Sequence, residues 1–313
     1  MQDINVETRR GTVLNGVLFS ASSNELTKRN ESASVVGQQN KLDATSRCDT
    51  VVIAITGIHG NFYSNPFYYN IGDTLSEHGI DFIYAQINDA FGEIETFNAK
   101  TGEKEIIGSW NERFSYTDED IDAYLDYAEK NYSHVILAGH SLGANKVIHY
   151  LSTHHDTKRV EKFILMSPAN LAYMMQNVSS REKDFVDKLV RYGQGEKVLP
   201  FYFMGWVACT ANTAHDWLSG VLDNTNDFSQ LERITHTGAL IIGTYDNFTE
   251  GDPSKFLREI NSHMPTASDN ELIFIERTGH TYQQKHQEIA NEILKLAEAW
   301  TSPALNAGNS LAG

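Results

Sequence analysis

Cysteine is nearly absent: Cys48 and Cys209 are the two in 313 residues. They offer no disulfide framework, no CxxC pair and no zinc-ligand spacing, which predicts a protein suited to a reducing compartment. Basic charge is also in deficit. Lys and Arg number 25 against 41 Asp and Glu, a formal net charge of -16. A nucleic-acid or anionic-membrane binder normally carries the opposite sign. No apolar run is long enough to span a bilayer, and the opening MQDINVETRR lacks the apolar core of a signal peptide. The expectation is a soluble, cytoplasmic protein with no nucleic-acid partner and no membrane insertion. Nucleotide-binding motifs are missing too: no GxxxxGK precedes a Ser or Thr, and no GxGxxG opens a helix.

The residues that are present suffice for a sizeable core, 41% apolar and 11% aromatic. INVETRRGTVLNGVLFSAS alternates around Gly11 and Asn15-Gly16 and predicts an antiparallel strand pair. Residues 22–48 are polar and rich in Ser, Asn and Gln, which predicts a flexible loop. A rhythm of strand, loop and helix follows. TVVIAIT, DFIYAQI, HVILAG, VEKFILMS, GALIIGTY and ELIFIER are apolar runs suited to strands covered on both faces. YTDEDIDAYLDYAEKNY sets Ile121, Tyr124, Leu125 and Ala128 on one face, an amphipathic helix with Thr117 and Asp120 spaced as a capping box. A last helix is predicted from near Tyr282, with Ile289, Ile293, Leu296 and Trp300 on one side.

This alternation predicts an α/β fold, a mostly parallel twisted sheet with helices on both faces, built from residues 1–169 and 236–300. Residues 170–235 break the rhythm. They read helical, carry the aromatic-rich LPFYFMGWVACTANTAHDWL, and are too many for a loop between two strands. A helical cap or lid is expected there, with an additional helical layer as the alternative. The tail, 301–313, is expected to be disordered.

VILAGHSLGANKVIHYL places Ser141 between Gly139 and Gly143 where a strand becomes a helix. Small residues on both sides allow a turn tight enough to lift the hydroxyl clear of the sheet, the context of a nucleophile elbow. A serine hydroxyl is a poor nucleophile at neutral pH and needs a base, and the base needs an orienting group. In a sheet of this kind both are expected after later strands, acid first and histidine last. GTYDNFTEGDP supplies Asp246, with Asp252 a rival whose Gly-Asp-Pro setting resembles a turn; ERTGH supplies His280. The developing oxyanion needs donors. They are expected to be the N–H groups of Leu142 and of Asn61, the latter in the Gly57-Ile58-His59-Gly60-Asn61 loop, where His59 is expected to brace the loop.

With GIHGN, GHSLG, GTYD and GH in this order, the chain from about residue 50 to about residue 300 resembles the α/β-hydrolase superfamily. A nearer resemblance, carried by IIGSWNERFSYTDEDIDAYLDYAEK followed by AGHSLGANKVIHYLS, is to a family of unassigned function that includes fungal siderophore esterases. There the motif Gly108–Phe114 either places polar groups near the site entrance or forms a structural loop capping the YTDED helix. The absence of a signal peptide, disulfides and an HGGG-type loop sets the chain apart from secreted lipases.

His149, His154, His155 and Asp156 fall at a helix end without a third site at ligand spacing, so no metal is expected. The expected activity is that of a serine hydrolase cleaving an ester-type bond, with thioester and amide as the variants behind it, in a medium-sized, partly apolar small molecule. It would work through an acyl-enzyme with Ser141, His280 and Asp246 and no cofactor. Phe203 and Trp206 are the expected substrate-binding residues. An acyltransferase or lyase on the same fold, or a non-catalytic small-molecule binding protein, are the alternatives. Composition sets no oligomeric state.

Overall fold

A computed structural model describes residues 1–21, 49–223 and 225–301. The expected loop over 22–48 and the tail from 302 onward lie outside the described residues. In chain order the elements are β1 (Gln2–Glu7), β2 (Val13–Phe19), β3 (Thr50–Ile55), α1 (Phe67–Glu77), β4 (Asp81–Ala85), β5 (Ile94–Asn98), β6 (Glu103–Ile107), α2 (Thr117–Glu129), β7 (His134–His140) and α3 (Leu142–Thr153). They continue with β8 (Lys162–Met166), α4 (Leu171–Gln176), α5 (Ser180–Arg191), α6 (Ala211–Leu218), β9 (Gly238–Gly243), α7 (Pro253–Ser262), β10 (Glu271–Ile275) and α8 (His286–Thr301).

One eight-stranded sheet runs in the order β1-β2-β4-β3-β7-β8-β9-β10, and β5-β6 form a separate hairpin. β1 and β2 pair antiparallel, as does β2 with β4; every pairing from β4 through β10 is parallel. The first hairpin turns at Thr8–Thr12, while Asn15 and Gly16 lie inside β2.

Period-two alternation divides the core between the two faces. Val51, Ile53 and Ile55 of β3 pack with Ile121 and Tyr124 of α2 and Val147 and Ile148 of α3. Val52 and Ala54 of the same strand pack with Phe67 and Ile71 of α1 and Ile289 and Ile293 of α8. Helices therefore cover both faces, and each fully buried Ile or Leu contributes about 1.5–3 kcal/mol.

Two local expectations are corrected. α2 has Tyr116 at its N-cap and no side-chain cap. Asp120 instead pairs with Arg10 and accepts the Asn88 N–H, so the spacing did not yield a capping box. The box that forms is Ser179 with Glu182 at the start of α5. The last helix starts at His286 rather than near Tyr282, which sits at φ 54° in the preceding loop with its ring buried.

Between β8 and β9 the chain makes a third apolar cluster of its own, with Val186, Phe203, Val207, Cys209 and Trp217 among its buried members. The motif Gly108–Phe114 holds this segment. Arg113 Nε donates to Asp216 Oδ2 at 2.9 Å, the Phe114 N–H donates to the same oxygen at 3.0 Å, and the Phe114 ring lies 5.3 Å from that of Trp217. Its Glu112 bonds Lys146 of α3, whose Nζ is also 3.1 Å from Asp89 Oδ2, with all three side chains buried. Burial and the nearby Asp89 charge push the Glu112 carboxyl up, against the opposing pull of Lys146.

Candidate active site

Parallel strands deliver their following loops to one edge of the sheet, and five such loops, after β3, β7, β8, β9 and β10, meet here. Ser141 leaves β7 at φ 57° and ψ −129° as the N-cap of α3, with no side-chain cap bond. That leaves the hydroxyl available to other partners. Both flanking glycines are required by close approach. A Cβ on Gly139 would stand 2.4 Å from the Gly143 carbonyl oxygen, and one on Gly143 would stand 2.3 Å from the Ile55 carbonyl oxygen. A non-glycine residue held at positive φ is uncommon and strained, so the surrounding turn has to enforce it.

His280, on the loop after β10, lies with Nε2 2.8 Å from Ser141 Oγ and Nδ1 2.8 Å from Asp246 Oδ2. Since the carboxylate only accepts, Nδ1 carries the proton and Nε2 faces the serine as acceptor. Asp246 follows β9, and its other oxygen accepts the Phe248 N–H at 2.9 Å. Burial pushes the Asp246 carboxyl up, but the His280 hydrogen bond and charge, together with hydrogen bonds from Phe248 and Ser167, hold the group below the usual carboxylate range. The rival Asp252 caps α7, accepting from the Ser254 and Lys255 N–H groups, and takes no part in this chain of bonds.

His140, beside the serine, was not singled out from sequence. It is buried, and its Nε2 donates to the His280 carbonyl oxygen at 2.8 Å, which fixes the backbone of His280. Burial drives its pKa down to about 3, with the nearby His280 charge adding to the effect, so it stands neutral beside the site.

Ser141 and His280 open into a cavity of about 270 Å³ whose walls include Ile58, Leu142, Trp206, Trp217 and Phe248. Two expected residues are elsewhere. Asn61 does not line the cavity: its N–H donates to Ser64 Oγ at 3.1 Å, and its side chain accepts from the Tyr63 and Ser64 N–H groups, closing a turn. From the same loop it is Ile58 that lines the cavity. Gly57 lies so close to the elbow that a Cβ there would be 2.8 Å from Ser141 Cβ, which brings Ile58, the next residue, to the cavity wall. Phe203 is wholly buried in the segment's own core and does not line the cavity, whereas Trp206 does. His59 braces this region: Nδ1 shares a 3.1 Å hydrogen bond with Ser109 Oγ, and the ring meets Trp206 edge-on at 5.6 Å.

A hydroxyl bonded to an imidazole that a carboxylate orients is the arrangement that lets serine attack a carbonyl at neutral pH. Among the described residues no group of three His, Cys, Asp or Glu is placed to hold a metal ion. His149 and His154 turn to local partners, Asp118 and the Tyr150 ring respectively. No described helix is long and apolar enough to cross a membrane.

Solved structures with the same arrangement of elements include Est1E from Butyrivibrio proteoclasticus, at 15% identity with TM-score 0.60, covering 97% of this chain and 100% of that one. The esterase EaEST from Exiguobacterium antarcticum matches at 14% identity with TM-score 0.57, covering 94% and 98%. The α/β hydrolase GrgF from Penicillium sp. sh18 matches at 14% identity with TM-score 0.56, covering 95% and 98%. These likenesses establish the α/β-hydrolase fold. No curated protein matches the sequence. A family model described as "Protein of unknown function (DUF1749)" matches residues 22–230, more than half of the chain, and the protein belongs to that family.

Proposed function

We propose that this protein is a serine hydrolase that cleaves an ester-type bond in a partly apolar small molecule. The observation that carries the reading is the unbroken chain from Ser141 Oγ through His280 to Asp246, 2.8 Å at each link, at the floor of a largely apolar cavity. Ser141 Oγ attacks the carbonyl carbon while His280 Nε2 takes its proton. The oxyanion so formed accepts from the N–H groups of Leu142 and Ile58. His280 then returns the proton to the departing alcohol, leaving an acyl-serine. Water repeats the sequence in reverse and frees the acid. Asp246 holds the imidazole in the tautomer this requires. No metal or organic cofactor enters these steps.

Residues 170–235 serve as the cap of this site, since Leu171, Met174, Trp206 and Trp217 come from that segment and face the serine across the cavity. An ester substrate agrees with the esterase EaEST, which shares the fold. The test is labelling with a fluorophosphonate probe followed by peptide mapping, beside turnover of 4-nitrophenyl esters. The label is expected on Ser141 alone, and Ser141→Ala is expected to lower kcat about a million-fold while leaving the melting curve intact. Labelling elsewhere, or retained turnover in the clean variant, refutes the reading.

A further inference from the structure

The cavity at Ser141 differs between its two ends. Leu142, Ala169, Leu171 and Trp217 line it and are each 4% exposed or less, whereas Trp206, on the same lining, is 41% exposed. The first four form a closed end inside the protein, and Trp206 marks the mouth. Leu171 and Trp217 also line a neighbouring cavity of about 230 Å³, so these two side chains are the wall between the two spaces. Apart from Ser141 and His280, the lining consists of aliphatic, thioether and aromatic side chains and holds no charge. The Ala169 backbone at the closed end is already satisfied by Asn145: its N–H donates to Oδ1 at 3.0 Å and its carbonyl accepts from Nδ2 at 2.9 Å. An ion placed there would lose its hydration and find no partner, at a cost far above any gain from burying methylenes.

Two further arguments fix what fits and which way round. At about 30 Å³ for a water-sized group, close to the size of a methylene, the 270 Å³ of the cavity holds roughly nine such groups. The order of bond breaking sets the orientation. The alcohol departs while the acyl group is still bonded to Ser141, so an alcohol at the closed end would be trapped behind the acyl-serine. We propose that the substrate is an ester of a neutral, apolar acid of up to about eight carbons, its acyl group at the closed end and its alcohol at the mouth beside Trp206. Leu171 and Trp217 set the limit on acyl length, and the alcohol is free to vary. This rests on the hydrolase reading, in which ester and water give acid and alcohol at Ser141.

The test is kcat/KM across 4-nitrophenyl esters from acetyl to dodecanoyl. Each added methylene should raise it about three- to fourfold up to octanoyl, and dodecanoyl should fall at least about tenfold below octanoyl because the excess chain overfills the closed end. The mono-4-nitrophenyl ester of adipic acid, ionised at pH 7.5, should be at least about a hundredfold poorer than the hexanoyl ester of equal length. Dodecyl butanoate and butyl dodecanoate, isomers of equal apolar area dispersed in the same detergent, report the orientation: the first should be cleaved at least about tenfold faster. Leu171→Ala opens the wall into the neighbouring cavity and should raise the dodecanoyl-to-octanoyl ratio at least about tenfold, while Leu171→Phe should move the best chain to hexanoyl or shorter. If circular dichroism shows Leu171→Ala unfolded, Leu171→Phe and the wild-type series decide. Equal turnover of dodecanoyl and octanoyl esters, preference for butyl dodecanoate, or an adipoyl ester as good as hexanoyl overturns the proposal and leaves the hydrolase reading standing. Turnover of the butanoyl ester that is absent, or that persists in Ser141→Ala, refutes the hydrolase reading and this proposal with it.

Discussion

The floor of the cavity at Ser141 and its far wall are built from different kinds of structure. Ser141, Asp246 and His280 stand on loops leaving parallel strands, and each is fixed by named partners: the elbow glycines, the Phe248 N–H, and the His140 ring under the His280 carbonyl. The wall comes from the segment between β8 and β9, where α4 has 6 residues and α6 has 8. Trp206 there is 41% exposed on a turn that places Met204 at φ 54° and Gly205 at φ 82°. The contrast follows from what each half must do. In the proposed reaction, bond making at Ser141 would depend on sub-ångström placement, whereas a wall that encloses an apolar chain would need only shape and dryness.

The sharpest way to break this contrast is at the carboxylates. Asp246→Asn removes the group that sets the His280 tautomer, and kcat/KM should fall about 10,000-fold with the fold intact. Asp252→Asn exchanges one good helix cap for another and should leave kcat/KM within about a factor of two. Turnover of 4-nitrophenyl butyrate by both variants checks this, and a larger loss at Asp252 would mean the acid is misassigned.

Within the β8–β9 segment the two aromatics should part company. Phe203→Ala empties the segment's own core and should cost about 3–5 kcal/mol in urea unfolding. Trp206→Ala loses cavity wall and one edge contact with His59 and should appear as a raised KM for octanoyl esters, with stability near wild type. Equal stability losses would place both residues in the core.

The Gly108–Phe114 motif that holds the β8–β9 segment can be loosened at Lys146, the partner of its Glu112. Lys146→Met leaves Asp89 and Glu112 buried together without their cation, and an uncompensated buried charge of this kind costs about 3–5 kcal/mol. Glu112→Gln in the same background should recover part of the loss, since it removes one of the two carboxylates. Chemical denaturation of the single and double variants measures both effects.

The smallest effect expected is one of pH. His140 has a folded pKa of about 3, below its ordinary 6.5, so the unfolded chain takes up the proton first as pH falls. The stability tied to neutral His140 is therefore complete above about pH 6.5 and is lost progressively between about pH 6.5 and pH 3. At pH 5 the loss should be about 2 kcal/mol. His140→Gln keeps a donor near the His280 carbonyl but cannot titrate, and its melting temperature should fall less between pH 7.5 and pH 5 than that of the wild type.

The strands bearing the site residues were legible because each is a local apolar run, and residues following such runs reach the same sheet edge. Ser141, Asp246 and His280 could be read from that rule and from their order. Asn61 could not be judged the same way. Its loop has no period, and the close approach of Gly57 to Ser141 decides that Ile58 faces the cavity. The aromatic run was visible as a run, but nothing in its spacing told Phe203, turned inward, from Trp206, turned to the cavity. Trp217 lay in the same quoted stretch, and its role as partition between two cavities depends on Leu171, 46 positions earlier in the chain.

By itself, then, the sequence determined the alternation of strands and helices, the elbow at Ser141 and the order of its partners. Those depend on side-chain periodicity and backbone sterics within a few residues. Only the tertiary structure decided that Ile58 and not Asn61 lines the cavity, that His140 holds the His280 backbone, that Asp120 serves Arg10 rather than a helix cap, and that Trp217 meets Leu171 on the cavity wall. Each of these is settled by groups distant in sequence meeting at hydrogen-bond range, where a shift of one residue in a loop exchanges one partner for another.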